Sequence, residues 1–277
     1  MIAPATGVPL TPATGMPLDT TAIPLVAYAV GFQTLVYVLL PGRFRARWAP
    51  LVTGAVGAAV VLVAGTWFGF DTIGLGAPDW GTVAAWGVGI ILVMSMVAMV
   101  MLSHPQLRGQ LADPRMAAMS PREAASQILI RIPIMTALIE ETVFRGVLHT
   151  ALIALYPAPI ALWAGAALFG MWHVGPGLDQ ARSVDRRSLA SVAHVTVTVM
   201  VTTIVGAGLV WLRMETGSIW APLAVHAGLN MTMAVFARTA ARESLPVWAR
   251  YLVPVAARLR PTLPSTNLPV VVGQEAV

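Results

Sequence analysis

The stretch IPIMTALIEETVFRGVLHTALIALY, residues 132–156, is long and apolar enough to cross a membrane as one helix. It nevertheless carries two adjacent carboxylates, Glu140 and Glu141, and one guanidinium, Arg145. Ionisable side chains inside a membrane helix are costly, and by default they mark a functional site. The stretch therefore indicates a membrane protein with a polar site built into its helices.

The composition of the whole chain agrees with a polytopic membrane protein. Of its 277 residues, 57% are hydrophobic and only 10% are charged, and the mean hydropathy is +0.76. Soluble domains carry about 25% charged residues. The chain has no cysteine, which excludes disulfides, thiolate metal sites and a cysteine nucleophile.

Seven apolar segments are long enough to span a bilayer as helices, so the predicted fold class is all-α with about seven transmembrane helices. A further apolar patch at 246–257 is too short to span and is typical of an interfacial segment. The seven segments are roughly residues 23–40, 49–70, 82–102, 132–156, 158–174, 189–212 and 218–236.

The distribution of arginine predicts the orientation. The chain has 17 arginines and no lysine, and 15 of the arginines fall at 41–48, 103–131, 175–188 and beyond 236. The alternate connections and the N-terminal tail hold only Arg213. Because cytoplasmic loops carry the excess of basic residues, the pattern predicts an N-terminus outside and a C-terminus in the cytoplasm. We interpret the net charge of +5 in the same way, and expect no nucleic-acid partner.

The domain organisation follows from these segments. Residues 1–22 contain a near-exact tandem octapeptide rich in Pro, Thr and Gly, which predicts a disordered tail. Residues 23–119 hold helices 1–3 with the following loop, and residues 120–236 hold helices 4–7. Residues 237–277 are predicted to be a basic interfacial segment followed by a second disordered tail.

Polar side chains also lie on the fifth and seventh predicted helices. His173 ends the fifth, and His226 and Asn230 share one face of the seventh because they are four residues apart. At about 1.5 Å per residue, these three and Glu140 are expected roughly 8–18 Å from the cytoplasmic face. Three separate segments therefore converge on one layer of the membrane.

The two glutamates are expected to have different roles. Glu141 and Arg145 are four residues apart and can pair within the helix. Glu140 points about 100° away from that pair, which leaves it available for chemistry. A carboxylate in an apolar cavity can act as general base and then as general acid. With imidazoles to hold water and an amide to donate to an oxyanion, this set suffices for amide hydrolysis.

Three motifs carry a family resemblance. EETVFRG at 140–146 has the pattern Glu-Glu-x-x-x-Arg, FGMWH at 169–173 has Phe-x-x-x-His, and HAGLN at 226–230 has His-x-x-x-Asn. In this order on apolar helices, they resemble the CPBP family of intramembrane proteases, which includes the CAAX prenyl proteases and bacterial bacteriocin-processing or self-immunity (Abi) proteins. The resemblance covers roughly residues 120–236. FDTIGLG at 70–76 is similar to a loop common in these proteins.

The resemblance implies a multi-pass plasma-membrane endopeptidase that cuts a peptide or membrane-protein substrate near the cytoplasmic face. Glu140 would activate the water and His173 would help to hold it. The oxyanion side and the supporting pair would be formed by His226 with Asn230 and by Glu141 with Arg145. Membrane lipid is the other expected partner.

The cofactor requirement is left open by the sequence. HExxH is absent, so the spacing does not signal zinc. If a metal is present, the candidate ligands are Glu140, His173 and His226. A metal-free mechanism driven by a glutamate is the other interpretation.

Other interpretations of the same residues are weighed beside the enzyme. The alternative function is a non-catalytic membrane scaffold, or a bacteriocin self-immunity protein that binds a peptide. The carboxylates and Arg145 would then form a structural ion-pair network, and His226 with Asn230 would join helices by hydrogen bonds. Trp172, Trp211 and Trp220 lie near helix ends and are expected to be interface anchors. The absence of lysine is typical of a GC-rich bacterium, so a prenylated substrate is not inferred.

Overall fold

The structure, a computed structural model, describes residue 31 and residues 42–183 and 189–243. Every regular element in these ranges is helical, as the sequence predicts. The tails at 1–22 and 244–277, the patch at 246–257 and, apart from residue 31, the predicted first span at 23–40 lie outside the described residues.

The described residues form nine helices. In chain order they are α1 (Gly42–Phe68), α2 (Trp80–Ser103), α3 (Pro105–Leu111), α4 (Pro114–Ala118), α5 (121–155), α6 (Ala158–Trp172), α7 (Val174–Ser183), α8 (Leu189–Thr216) and α9 (Trp220–Glu243).

Three stretches of the described chain are long and apolar enough to cross a membrane. They are Trp80–Ser103, Ala158–Leu178 and Ser191–Thr216, and they correspond to the third, fifth and sixth predicted spans. The apolar part of α1, Gly54–Phe68, is shorter. The number of seven spans and the orientation of the termini therefore stay predictions.

Helix α5 begins earlier than the predicted fourth span. Ser120 and Glu123 form a capping box in which each side chain accepts from the other residue's backbone N–H. These hydrogen bonds with Ser120 hold the pKa of the Glu123 carboxyl below its usual range. The helix can therefore start at Pro121, within the stretch that the sequence analysis assigned to a loop.

Helix α5 alternates between two kinds of helical turn. Residues Gln127–Leu138 and Thr142–Leu148 are π-helical, and the short α-helical segment Ile139–Glu141 separates them. Pro133 lies inside the first π-helical part, where its missing N–H removes one bond from the regular ladder. The two glutamates thus occupy the α-helical segment between two wider ones.

The end of α6 at Trp172 has a simple cause. His173 turns the chain with φ −85° and ψ 0°, and α7 then begins at Val174. Pro176 cannot donate to the carbonyl of residue 172, and its ring would clash with that carbonyl in a continuous helix. The sequence predicts a loop at residues 175–188, and the structure instead shows α7 in most of that stretch.

Glycines allow the long helices to approach closely. A Cβ added at Gly170 of α6 would lie 2.0 Å from Thr203 Oγ1 and 2.8 Å from the Val199 carbonyl oxygen of α8. A Cβ at Gly228 of α9 would lie 2.9 Å from Ile90 Cγ2 of α2. α6 therefore packs tightly on α8, and α9 on α2, while α5 lies against both α9 and α1.

The connection between α1 and α2 is tied to the helices. Arg213 of α8 donates from Nη2 to the Thr72 carbonyl oxygen (3.0 Å), and the Ile219 N–H donates to the Gly74 carbonyl oxygen (3.0 Å). Gly74 has a φ of +82°, which L side chains rarely adopt, and the Arg213 guanidinium fills the space where its Cβ would stand. Arg213, assigned by sequence to an outer connection, is thus a buried anchor for this loop.

The predicted loop at 103–131 also carries helices that dock on α9. Arg238 of α9 donates to the backbone carbonyls of Met116 and Met119. The Asp113 N–H donates to the Ala237 carbonyl oxygen at 3.3 Å. Asp113 is partly desolvated, but its hydrogen bonds and ion pair with Arg115 hold the pKa of its carboxyl below the usual range. α3 and α4 therefore form a packed layer at one end of α9.

Candidate active site

The pair predicted within α5 is present and fully buried. Arg145 Nη1 donates to Glu141 Oε1 at 3.0 Å, and both side chains have 0% exposure. Arg145 Nη2 donates to the Gly206 carbonyl oxygen of α8 at 3.3 Å, and its Cζ lies 4.0 Å from the centre of the Phe169 ring. The ion pair and the cation–π contact together offset the cost of burying the guanidinium. Arg145 consequently joins α5, α6 and α8.

His226 of α9 lies between the two glutamates. Its Nδ1 is 2.7 Å from Glu141 Oε1, and its Nε2 is 3.8 Å from Glu140 Oε2. Because Glu141 is a carboxylate paired with Arg145, Nδ1 is the donor in the shorter contact. This hydrogen bond fixes the ring so that Nε2 faces Glu140.

Glu140 has one oxygen bound and one free. Its Oε1 accepts a hydrogen bond of 3.1 Å from the indole Nε1–H of Trp172. Its Oε2 is buried and accepts no hydrogen bond among the described residues, since the 3.8 Å to His226 Nε2 exceeds a normal hydrogen bond. The side chain keeps 12% exposure, in contrast to the closed surroundings of Glu141. Glu140 thus offers a free lone pair beside an oriented imidazole.

Trp172 corrects an expectation from the sequence. We expected it to be an interface anchor, but its side chain is buried and its ring meets that of Phe144 edge to face at 5.3 Å. The expectation rested on its position, because tryptophans near the ends of membrane helices usually lie at the interface. The available signal was its position beside His173, at the depth expected for Glu140. Trp211, which is largely exposed, is compatible with an anchor.

His173 approaches the site from the end of α6. Its Nδ1 is 2.8 Å from the Phe169 carbonyl oxygen, an acceptor, so Nδ1 donates and Nε2 is left to accept. The Phe169 ring meets the His173 ring at 4.7 Å and the His226 ring at 5.9 Å between centroids. Phe169 is therefore shared by the two imidazoles, a role that the sequence pattern did not reveal.

Asn230 lies on α9 one turn after His226 and is half-buried. Its side chain makes no hydrogen bond to the part of the chain that the structure describes, so its amide is free to donate. The structure thus brings Glu140, Glu141, Arg145 and His226 into direct contact. The structure also places His173 against the Phe169 ring, which contacts His226 as well. Asn230 is connected to these residues only by its position on α9, one turn after His226.

The candidate metal ligands do not form a set. Within residues 42–183 and 189–243, no group of three or more His, Asp or Glu side chains is arranged to hold a metal ion. Glu140 and His226 are close, but His173 hydrogen-bonds to the backbone and packs on the Phe169 ring instead. The donors present therefore do not fit a three-ligand zinc site.

Comparison with known proteins gives a match to a family model over part of the chain. Residues 123–232 match the family model described as Type II CAAX prenyl endopeptidase Rce1-like. The matched range contains all three motifs and lies inside the predicted 120–236 core. No curated protein and no solved structure matches the chain. The resemblance to the CPBP proteases is confirmed over this range.

Proposed function

Because residues 123–232 belong to a family of membrane endopeptidases, we propose that the chain is an intramembrane endopeptidase whose general base is Glu140. The observation that carries this proposal is the state of the Glu140 carboxylate. One oxygen accepts from Trp172, and the other is buried beside His226 Nε2 without a hydrogen bond to any described residue. The family match and the apolar helices favour a membrane-bound enzyme over a non-catalytic scaffold.

The proposed chemistry needs no covalent intermediate with the enzyme. Glu140 Oε2 takes a proton from a water molecule while the water oxygen attacks the carbonyl carbon of the scissile peptide bond. The carbonyl oxygen becomes an oxyanion. When the carbon–nitrogen bond breaks, Glu140 gives the proton to the leaving amine and returns to its carboxylate form. His173 Nε2, which its Nδ1 contact leaves as an acceptor, is suited to hold the water.

The oxyanion is assigned to α9. His226 Nε2 faces this side of the site, 3.8 Å from Glu140 Oε2, and donates when the ring is doubly protonated. Asn230 has an amide that is free to donate. Glu141 and Arg145 support this arrangement by fixing the His226 ring and by leaving no net charge in their own pair.

The substrate is proposed to be a peptide or a membrane-protein segment. Given the predicted orientation, cleavage occurs near the cytoplasmic face of the plasma membrane, and the substrate enters laterally or from the cytoplasm. The name of the matched family suggests a prenylated cysteine close to the cleavage site. A farnesylated peptide and its unprenylated counterpart are therefore the two probes to compare.

The proposal is tested with Glu140→Gln in the purified full-length chain. Glutamine keeps an oxygen for the Trp172 N–H but cannot take up a proton, so we expect cleavage to fall at least about 100-fold. The assay uses two internally quenched peptides, with and without a farnesylcysteine, together with a comparison of membrane proteomes for uncut substrates.

The matched control is Glu215→Gln, which changes an exposed glutamate on α8 in the same way and is expected to cleave at the wild-type rate. Undiminished cleavage by Glu140→Gln would remove Glu140 from the mechanism. A binding protein would tolerate this near-isosteric change in a complementation assay, and an enzyme would not.

A further inference from the structure

Trp172 is the one side chain that hydrogen-bonds to Glu140 among the described residues. Trp172 is the last residue of α6, and its indole donates to Glu140 of α5, which is 32 positions earlier in the chain. The ring is buried and is packed edge to face against Phe144, which belongs to α5. The indole therefore has little freedom to turn away from the carboxylate.

We propose that Trp172 is a positioning residue that orients the Glu140 carboxylate for catalysis, an inference that rests on the proposed role of Glu140 as general base. An indole N–H donates and cannot accept, so the contact has a fixed direction. It binds Oε1 and leaves Oε2 facing His226 Nε2. Without this donor, the carboxylate can rotate about its last bond and present either oxygen.

The same helix end positions two parts of the site. Trp172 is followed directly by His173, whose Nδ1 is fixed by the Phe169 carbonyl oxygen of the same helix. The end of α6 therefore determines the position of two groups. One is the Glu140 carboxylate, through Trp172, and the other is the His173 imidazole, which is proposed to hold the water. A shift of α6 would move both groups relative to α5.

A purely structural role is the competing explanation. A buried indole needs an acceptor, and Glu140 could serve only to satisfy it. The two explanations differ in what happens when the N–H alone is removed. Phenylalanine keeps an aromatic ring against Phe144 but has no donor, so Trp172→Phe separates orientation of the base from packing of the helix.

The kinetic test measures kcat and KM of Trp172→Phe with the farnesylated and the unprenylated quenched peptides. Loss of a hydrogen bond to a charged group that reacts lowers the rate by about 10- to 100-fold. We therefore expect kcat to fall by that factor while KM stays near the wild-type value. The control is Trp211→Phe, which removes an exposed indole from α8 and is expected to leave both constants unchanged.

A second measurement does not need a substrate. Dicyclohexylcarbodiimide reacts with the protonated form of carboxyl groups in apolar surroundings, and mass spectrometry of the 139–146 region reports its reaction at Glu140. A carboxyl group that has lost the indole donor has no hydrogen bond to break before it reacts, so Trp172→Phe should label Glu140 several-fold faster than the wild type. Trp211→Phe, which removes an exposed indole that does not contact Glu140, should label at nearly the wild-type rate.

The outcomes separate the two proposals. Wild-type kcat and a wild-type labelling rate in Trp172→Phe would overturn the positioning role, while activity that depends on Glu140 would leave the proposed function standing. Equal acceleration of labelling in Trp211→Phe and Trp172→Phe would show that the change does not depend on the donor to Glu140 and would also overturn the role. A wild-type chain that cleaves neither peptide nor any membrane protein would overturn the proposed function, and the inference with it.

Discussion

At the scale of single residues, the two neighbouring glutamates show how surroundings decide a role. Glu140 and Glu141 have the same side chain and adjacent positions, but helical geometry separates their directions by about 100°. Glu141 meets Arg145 and His226 and is fully enclosed. Among the described residues, Glu140 accepts a hydrogen bond from one donor, Trp172, and keeps its other oxygen free. One carboxylate is therefore held as structure, and the other is left with the capacity to exchange a proton.

The buried pair gives a prediction on stability. Arg145→Met leaves the Glu141 carboxylate buried without its cation, so we expect a loss of about 3–5 kcal/mol of stability. Thermal unfolding of the purified protein in detergent would measure the loss as a lower Tm. The double variant Glu141→Gln with Arg145→Met removes both charges and should regain most of the lost stability.

An exposed pair serves as the control for this prediction. Arg115 and Asp113 are 3.0 Å apart, with 61% and 27% of their side chains exposed. Arg115→Met should therefore cost at most about 1 kcal/mol, because solvent screens such pairs. Equal losses of Tm for Arg145→Met and Arg115→Met would contradict the importance of the buried pair.

At the scale of elements, the close packing of α6 on α8 is what brings the site together. Gly170 lets the two backbones approach, and one turn of α8 away the Gly206 carbonyl oxygen accepts from Arg145. Phe169, beside Gly170, contacts Arg145 and both histidines. A small residue on one helix thus determines where the aromatic residue next to it can stand.

This packing gives a second prediction on stability. In Gly170→Ala, the added methyl group would overlap Thr203 Oγ1 and approach a backbone oxygen, so we expect α6 and α8 to separate slightly at a cost of about 1–3 kcal/mol. Activity should fall as well, since Trp172 and His173 move with α6. Tm and the kcat of the quenched-peptide assay would report the two effects.

Gly208→Ala on the same α8 is the matched control, because no atom of the described residues lies within 4 Å of a Cβ added there. Alanine is the better helix former by about 1 kcal/mol, so this variant should be at least as stable as the wild type. A Gly170→Ala protein as stable as Gly208→Ala would rule out close approach as the reason for this glycine.

At the scale of the whole molecule, the alternation of arginine along the chain predicts one orientation. The structure adds that Arg213 and Arg238 donate to backbone carbonyls of packed loops. Arginine is therefore predicted to set the orientation of the chain, and in the structure it also attaches connections at the two ends of the helices.

The orientation can be measured directly because the chain has no cysteine. Gln106→Cys and Glu215→Cys each introduce one thiol at an exposed position. A membrane-impermeant maleimide should label Glu215→Cys in right-side-out vesicles and Gln106→Cys only in inside-out vesicles. The unmodified chain controls for background, and labelling of both thiols from one side would refute the predicted topology.

Much of the site could be predicted because its signals are local. The Glu141–Arg145 pair follows from a spacing of four residues, and the motif order follows from the chain itself. The role of Trp172 could not be predicted, because its partner Glu140 is on another helix and its position near a helix end is typical of an interface anchor. The helices α3, α4 and α7 were also not predicted, because arginine-rich connections between spans resemble loops in sequence.

The sequence by itself determined the all-helical class, the apolar segments, the buried pair and the residues that resemble a protease motif, because composition and spacing along one helix are local properties. Only the tertiary structure decided which neighbour each of these residues meets. That His226 faces both glutamates, that Phe169 contacts both histidines and that Trp172 binds Glu140 depends on the rotation and close approach of α5, α6 and α9. Such contacts between helices follow from packing of the whole molecule, and no periodicity within a single helix encodes them.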